Sequence, residues 1–223
     1  MSTKHRNAWT TDVVADYIAS HTAQPDELQQ ELIDETATAL GGRSRMQISG
    51  DEGAVIGLLA RLIGAKNAVE VGTFTGYSAL CIARAIGPDG HLLCCDVSEE
   101  WTSIGRRYWE RAGVADRIEL QIRPAIETLN ALANEATIDL AFIDADKSSY
   151  LAYYEALLPR VRQNGLILVD NTLWGGTAAE AASASDDADT AAIKAFNDLV
   201  AGDERVESYI LPIADGVTLI RKR

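Results

Sequence analysis

Two short segments of this chain set oxygen-donor side chains at fixed spacing: Asp144-Ala145-Asp146-Lys147 and Asp170-Asn171. Each follows an apolar, β-rich run, Ile138–Ile143 and Gly165–Val169, which places both at strand ends. Two carboxylates and an amide are hard ligands of the kind that hold Mg²⁺, Mn²⁺ or Ca²⁺ once water and ligand oxygens complete the shell. Zinc would ask for Cys or His, and His5, His21 and His91 stand far from both segments. The competing reading is that these carboxylates cap the helices that follow. Lys147 lies three residues after Asp144, on the same side of a helix that starts there. Close to a divalent cation an ammonium is disfavoured, which makes Lys147 a candidate general base. Without the metal set it reads as an exposed surface lysine.

A second chemical segment is Glu70-Val71-Gly72-Thr73-Phe74-Thr75-Gly76-Tyr77-Ser78. Glycines after a strand let the backbone approach a ligand, and the helix start beyond offers free N–H groups to an anion. The spacing fits neither GxGxxG nor GxxxxGK[ST]. An acidic residue ahead of the first glycine suits a ligand that carries a cationic amine as well as a carboxylate. Asp96 ends the next strand, where a carboxylate can accept both hydroxyls of a ribose. A plain glycine-rich turn is the alternative.

These residues share one end of a sheet only if the chain alternates strands and helices. From Lys66 onward it does. The pattern predicts strands at Asn67–Val71, His91–Cys95, Ile118–Ile122, Ile138–Ile143 and Gly165–Val169, and helices at Tyr77–Ile86, Glu100–Ala112, Ile126–Asn134 and Tyr150–Val161. The strands are continuous apolar runs, as expected when both sheet faces are covered. Such alternation means βαβ units, a parallel sheet and ligands beyond the carboxyl ends of its strands. Ser208–Pro212 and Val217–Arg221 flank an Asp-Gly turn signal and predict an antiparallel hairpin at the sheet edge. Residues 1–65 read as a helical cap broken at Gly41-Gly42, residues 66–223 as a Rossmann-like core, and the whole as a single domain. The stretch 177–190, small, polar and acidic, falls after the fifth strand and so beside any active site.

Composition bounds the function. The 223 residues are 47% hydrophobic and 24% charged, which excludes disordered and fibrous classes. A formal charge of −13 argues against nucleic acid and anionic membranes as partners. Cys81, Cys94 and Cys95 form no CxxC pair and sit in apolar runs, as buried reduced thiols would. The first residues lack the apolar core of a secretory signal, and no apolar stretch is long enough to span a bilayer, so the expected location is the cytoplasm.

Taken jointly, VEVGTFTGYSAL, Asp96, FIDADK, VDNTLWGG and PIADGVTL resemble the cation-dependent O-methyltransferases of the catechol and caffeoyl-coenzyme A type, over residues 45–223. The resemblance implies an α/β fold: a Rossmann-like, seven-stranded class I methyltransferase sheet with an antiparallel last strand, helices on both faces and an N-terminal helical cap. It implies S-adenosylmethionine held by Met46, Ile48, Glu70, Gly72, Ser78, Asp96, Ala125 and Asp144. Further implied are a divalent cation on Asp144, Asp170 and Asn171, Lys147 as base, and a phenolic small molecule against Lys147, Asn171 and Trp174. In the mechanism this suggests, Tyr150 or Tyr153 would join Trp174 in facing the ring; the alternative for both tyrosines is core packing on a helix face. A homodimer comes with the family. Arg123-Pro124 departs from the glycine often found two residues before the adenine-flanking alanine. The character of 177–190 differs from the plant enzymes, so their thioester substrates are not inherited. The rival readings are a metal-independent methyltransferase, a non-catalytic binding protein on the same fold, and a nicotinamide dehydrogenase.

Overall fold

In a computed structural model of the chain, the described residues are 10–183 and 185–223. Seven strands form one sheet: β1 (Asn67–Val71), β2 (His91–Asp96), β3 (Ile118–Ile122), β4 (Ile138–Ile143), β5 (Val161–Val169), β6 (Val206–Leu211) and β7 (Val217–Lys222). Their order is β3-β2-β1-β4-β5-β7-β6. Strands β1 to β5 pair in parallel, while β7 runs antiparallel to both β5 and β6. The expected fold class holds, hairpin included.

Alternation along each strand divides the apolar side chains between two layers. Leu92, Cys94, Leu140 and Phe142 pack into one core, and Leu93, Cys95, Ala141 and Ile143 into the other. The adjacent cysteines therefore face opposite helix layers, both buried as free thiols. The helices are α1 (Asp12–His21), α2 (Glu27–Leu40), α3 (Gly50–Leu62), α4 (Tyr77–Ile86), α5 (Glu99–Arg111), α6 (Ala125–Ala131), α7 (Tyr150–Leu157) and α8 (Ala188–Gly202). The first three make up the described part of the expected cap, whose residues 1–9 lie outside the described residues. The break at Gly41 is real: it closes α2 at φ 53° and opens a 3₁₀ turn. Arg111 and Tyr108 of α5 bind Glu31 and Glu35 of α2 at 2.6 and 2.8 Å, tying cap to core. Among the described residues, no helix is long and apolar enough to cross a membrane.

Three elements differ from expectation by more than two residues. The helix expected to reach Val161 stops at Leu157 and tightens to a 3₁₀ turn over Leu158–Arg160 containing Pro159. Strand β5 then begins at Val161 rather than Gly165, because Val161 pairs with Ile138 across a register shift in β4. Helix α6 ends at Ala131, three residues short of Asn134.

Register is what brings the chemistry together. Val71 is opposite Cys95 on one side and Ile143 on the other, and Ile143 is opposite Val169. The residues just beyond, Gly72, Asp96, Asp144 and Asp170, must emerge along one edge. The ladder continues one step further, with Gly72 N donating to Cys95 O, Asp144 N to Val71 O and Asp170 N to Ile143 O at 2.9, 2.9 and 3.0 Å. At Gly72 the chains press so closely that a Cβ would stand 1.9 Å from Asp144 O, at a φ of +88°. Gly72→Ala therefore combines strain with a backbone clash and is expected to cost about 2–4 kcal/mol, a fall in Tm of about 4–16 °C. Gly113→Ala, with φ +66° and open space around it, should cost only about 1–2 kcal/mol. Thermal unfolding of the two variants checks the difference, and equal losses would show that positive φ alone sets the cost at Gly72.

Candidate active site

The carboxyl ends of the strands open into a cavity of about 1050 Å³. Met46, Ile48, Gly72, Ser78, Asp96, Ala125, Asp144, Lys147, Asp170, Asn171 and Trp174 all line it. Of the site residues singled out in the sequence, Glu70 and Tyr150 do not. Glu70 is wholly buried behind the glycine turn, and neither carboxyl oxygen has a well-aligned partner. Burial pushes its pKa up to about 7, against the opposing pull of nearby Ser78, Thr73 and Cys94.

On one side of the cavity, Asp96 organises the turn after β1. Its Oδ2 accepts from Thr73 N and Phe74 N at 2.9 and 2.7 Å, and its Oδ1 accepts from Ser98 N at 2.8 Å. Phe74 and Trp101 meet edge to face, centroids 5.4 Å apart, and both line the wall. The segment 46–49 is fixed from behind. Gln47 Nε2 donates to Thr36 Oγ1 and Thr75 Oγ1 at 3.2 and 3.0 Å, and these two hydroxyls are themselves 3.0 Å apart. This buried network joins the cap to the glycine turn, and no motif in the sequence announced it.

On the other side sits Lys147, only 9% exposed. Its Nζ donates to Asp144 Oδ1 at 3.1 Å, Asn171 Oδ1 at 2.6 Å and Tyr150 Oη at 2.6 Å. The Trp174 ring centroid is 5.8 Å away. The side chains expected to cooperate do converge. Tyr150, however, is not available to face a ring. It is fully buried, and its hydroxyl donates to Asp170 O at 3.1 Å while accepting from Lys147, so it orients the lysine. Tyr153 lines the cavity and donates to Asp146 Oδ1 at 2.7 Å.

Asp170 is almost enclosed. Burial, then the charge of Asp144, raises its pKa to about 8, and the Asn171 N–H bonded to its Oδ1 at 2.6 Å opposes the rise. A third carboxyl, Glu52 of α3, comes up against it, also raised by burial and by the charges of Asp170 and Asp144. Glu52 belongs to none of the motifs singled out in the sequence. A signal existed: Glu52, Ile56 and Ala60 recur at four-residue spacing, and all three are buried.

Backbone strain gathers here too. Of five non-glycine residues at positive φ among the described residues, four (Phe74, Asn171, Trp174 and Ala214) line the cavity. The β6–β7 turn holds the Asn171–Trp174 loop in place: Asp215 Oδ1 accepts from Gly175 N at 2.6 Å, Asp215 O from Leu173 N at 3.0 Å, and Gly216 O from Thr172 N at 2.9 Å.

A family model described as O-methyltransferase matches residues 19–223. The chain belongs to the O-methyltransferase family. It is 39% identical over 212 residues to "Probable caffeoyl-CoA O-methyltransferase 2" of Dictyostelium discoideum, covering 94% of this chain and 91% of that one. With caffeoyl-CoA O-methyltransferase 5 of Nicotiana tabacum it shares 36% identity over 226 residues, covering 98% and 94%. The O-methyltransferase TomG of Streptomyces achromogenes, solved in complex with SAM, superposes with a TM-score of 0.85 at 26% identity, covering 100% and 99%.

The donor set of this methyltransferase fits a hard cation in kind: two carboxylates, an amide oxygen, and a buried carboxyl, Glu52, whose Oε1 has no partner. Among the described residues no three His, Cys, Asp or Glu side chains are grouped so as to hold a metal ion by themselves.

A carboxyl whose pKa is higher in the fold than in the unfolded chain stabilises the fold below its unfolded value, and loses that contribution as pH rises through the folded one. For Glu70 the window runs from its ordinary 4.5 to about 7. Urea unfolding between pH 4.5 and 8 should therefore show the wild type losing on the order of 3 kcal/mol relative to Glu70→Gln. Parallel pH profiles would mean that Glu70 stays ionised in the fold.

Proposed function

We propose that this O-methyltransferase moves a methyl group from S-adenosylmethionine to a hydroxyl of a vicinal dihydroxy aromatic molecule, with a divalent cation, Mg²⁺ foremost, at Asp144, Asp170 and Asn171. The observation that carries the reading is the placement of Lys147 Nζ, within hydrogen-bond reach of Asp144 and Asn171 and beneath Trp174 at the cavity floor. TomG, solved with SAM, supports the cofactor. Asp96, Trp101 and Ala125 suit its nucleoside, and Met46, Ile48, Gly72, Ser78 and Asp144 suit its amino-acid end. Glu70 then acts from behind the turn, through Ser78 and Thr73.

When bound, the cofactor supplies an activated methyl group and the cation supplies charge that makes the acceptor hydroxyl more acidic. The residues of the chain do the rest. Asn171 and Trp174 hold the ring, Trp174 by its face. Lys147 takes the hydroxyl proton at Nζ, which Tyr150 keeps in place. Asp96 and the Gln47 network fix the cofactor side of the cavity, so the two reactants meet already oriented.

Several relatives are named for caffeoyl-CoA, but the cavity favours a smaller acceptor. Six acidic side chains line it (Glu52, Asp96, Asp144, Asp146, Asp170 and Asp215) against two basic ones, Arg45 and Lys147. The adjoining stretch 177–190 adds acids and no bases. The phosphates of coenzyme A meet an unfavourable field there. The homodimer belongs to the same proposal, and light scattering decides it.

A second reading has one observation in its favour: Lys147 already bridges Asp144 and Asn171, as a cation would. In a metal-independent enzyme that contact would be the working state. Methyl transfer to a panel of small catechols, run with Mg²⁺ and with EDTA, separates the two. Product only with metal is expected, whereas product in both selects the metal-independent enzyme. Lys147→Ala should lower kcat by about 10²–10⁴-fold while SAM still binds. An unchanged rate would remove Lys147 as the base.

A further inference from the structure

Helix α8 gives no residue to the lining of the cavity, yet two of its side chains reach the groups that hold the site. Its inner face is apolar at helical spacing, with Ile193, Phe196 and Val200 all buried. Phe196 meets the Tyr150 ring edge to face, centroids 5.7 Å apart, and the Tyr150 hydroxyl accepts from Lys147 Nζ. The next residue, Asn197, puts an amide beside that apolar stripe. Its Nδ2 donates to Thr172 O at 2.8 Å, while its Oδ1 is buried without a hydrogen-bond partner. An unpaired buried polar atom is a cost that an apolar residue of the same size would avoid. The helix does not need the amide, because α8 is capped at its start by Asp187, whose side chain accepts from Thr190 N at 2.7 Å.

The partner of that amide is the hub of the loop after β5. Thr172 is fully buried and does not line the cavity, but it stands between Asn171 and Trp174, which do. Its N–H and its Oγ1 both donate to Gly216 O, at 2.9 and 3.0 Å, and its Oγ1 accepts from Thr218 Oγ1 at 2.9 Å. Those three bonds lead to the β6–β7 hairpin. The bond to the carbonyl comes from α8. Asn171 and Trp174 sit at φ 59° and 48°, left-handed conformations that persist only where the surroundings over-determine them. The Thr172 carbonyl belongs to the peptide that leads through Leu173 to Trp174, so its orientation bears on where the indole stands.

We infer that Asn197 is a positioning residue for the acceptor wall of the cavity: from α8, its amide fixes the Thr172 carbonyl and, through that loop, the Trp174 ring and the Asn171 side chain. The inference rests on the proposed function, in which Asn171 and Trp174 hold the acceptor ring. It adds a side chain that touches neither reactant and makes α8 the support of that wall.

The test compares wild type, Asn197→Leu, Trp174→Ala and the double variant, with catechol as acceptor and SAM affinity measured separately by calorimetry. Leu keeps the size of Asn and removes the N–H. A ring misplaced by about 1 Å can cost about 10²-fold, so Asn197→Leu should lower kcat/KM for catechol about 10–100-fold. SAM affinity should stay within about threefold, since the cofactor side shares no partner with Asn197. The amides of residues 171–176 should exchange with deuterium faster in this variant, a readout independent of turnover. If Asn197 acts through Trp174, adding Asn197→Leu to Trp174→Ala should cost less than about threefold. Additive losses, an unchanged kcat/KM or unchanged exchange over 171–176 would each overturn the inference and leave the proposed function standing. SAM affinity falling in step with kcat/KM would overturn it in favour of a general role in the fold. If Asn197→Leu does not fold by circular dichroism, Asn197→Ser, whose hydroxyl stops one bond short of the amide nitrogen, is read in the same way. Wild type that transfers no methyl group to catechol would overturn the proposed function and the inference together.

Discussion

Three carboxyl groups enclosed around one ammonium set the terms for the rest of this structure. Asp144, Asp170 and Glu52 lie within mutual electrostatic reach, and Lys147 is the only basic side chain bonded among them in the described residues. Like charges in a low-dielectric enclosure repel strongly, so the two most buried carboxyl groups, Glu52 and Asp170, have their pKa values raised, by burial first and by neighbouring charge second. Fully ionised, the cluster would carry two negative charges in excess, the charge of one divalent cation. The cluster persists because the surrounding structure over-determines it. Strand register delivers Asp144 and Asp170, a left-handed Asn171 turns the next amide inward, and Tyr150 pins the lysine from the core.

That arrangement requires the β1 and β4 ends to meet almost in contact. Gly72 lies against the Asp144 carbonyl, and Gly76 against the Trp109 ring, whose Nε1 in turn donates to Gly76 O at 3.0 Å. Both glycines are therefore demanded by the protein's own packing before any ligand is considered. The glycine turn is a rigid part, clamped by Asp96 from β2 and by Gln47 and Thr36 from the cap. Its N–H groups are spoken for in part, Thr73 N and Phe74 N by Asp96.

Strand ends were the legible part of the sequence. Apolar runs such as Ile138–Ile143 end at a sharp polar boundary, and that boundary places Asp144 and Asp170 without any knowledge of tertiary structure. Tertiary pairing was not legible: β5 starts at Val161 because Ile138 lies opposite it, a non-local fact. The same holds for side chains whose role depends on direction. Tyr150 reads as an aromatic near the site, but one turn of α7 decides that its ring faces Phe196 and only its hydroxyl reaches Lys147. Glu70 and Glu52 depend on direction in the same way. The strand period turns Glu70 to the layer behind the turn, and the helix period turns Glu52 into the cavity.

The cavity thus has two halves of different origin. One half is made by consecutive elements, β1 through α6, together with the 46–49 segment. The other half draws on parts distant in sequence: α3, the β4 and β5 ends, the strained Asn171–Trp174 loop, and the β6–β7 turn bracing it through Asp215 and Gly216. Residues of that turn can change without disturbing a single contact of Asp96 or Gln47. The choice of acceptor is therefore free to vary on a fixed cofactor platform, and an acceptor cannot be carried over from relatives on overall identity alone. Here the second half is acidic and braced by the β6–β7 turn, a field unfavourable to a polyanion.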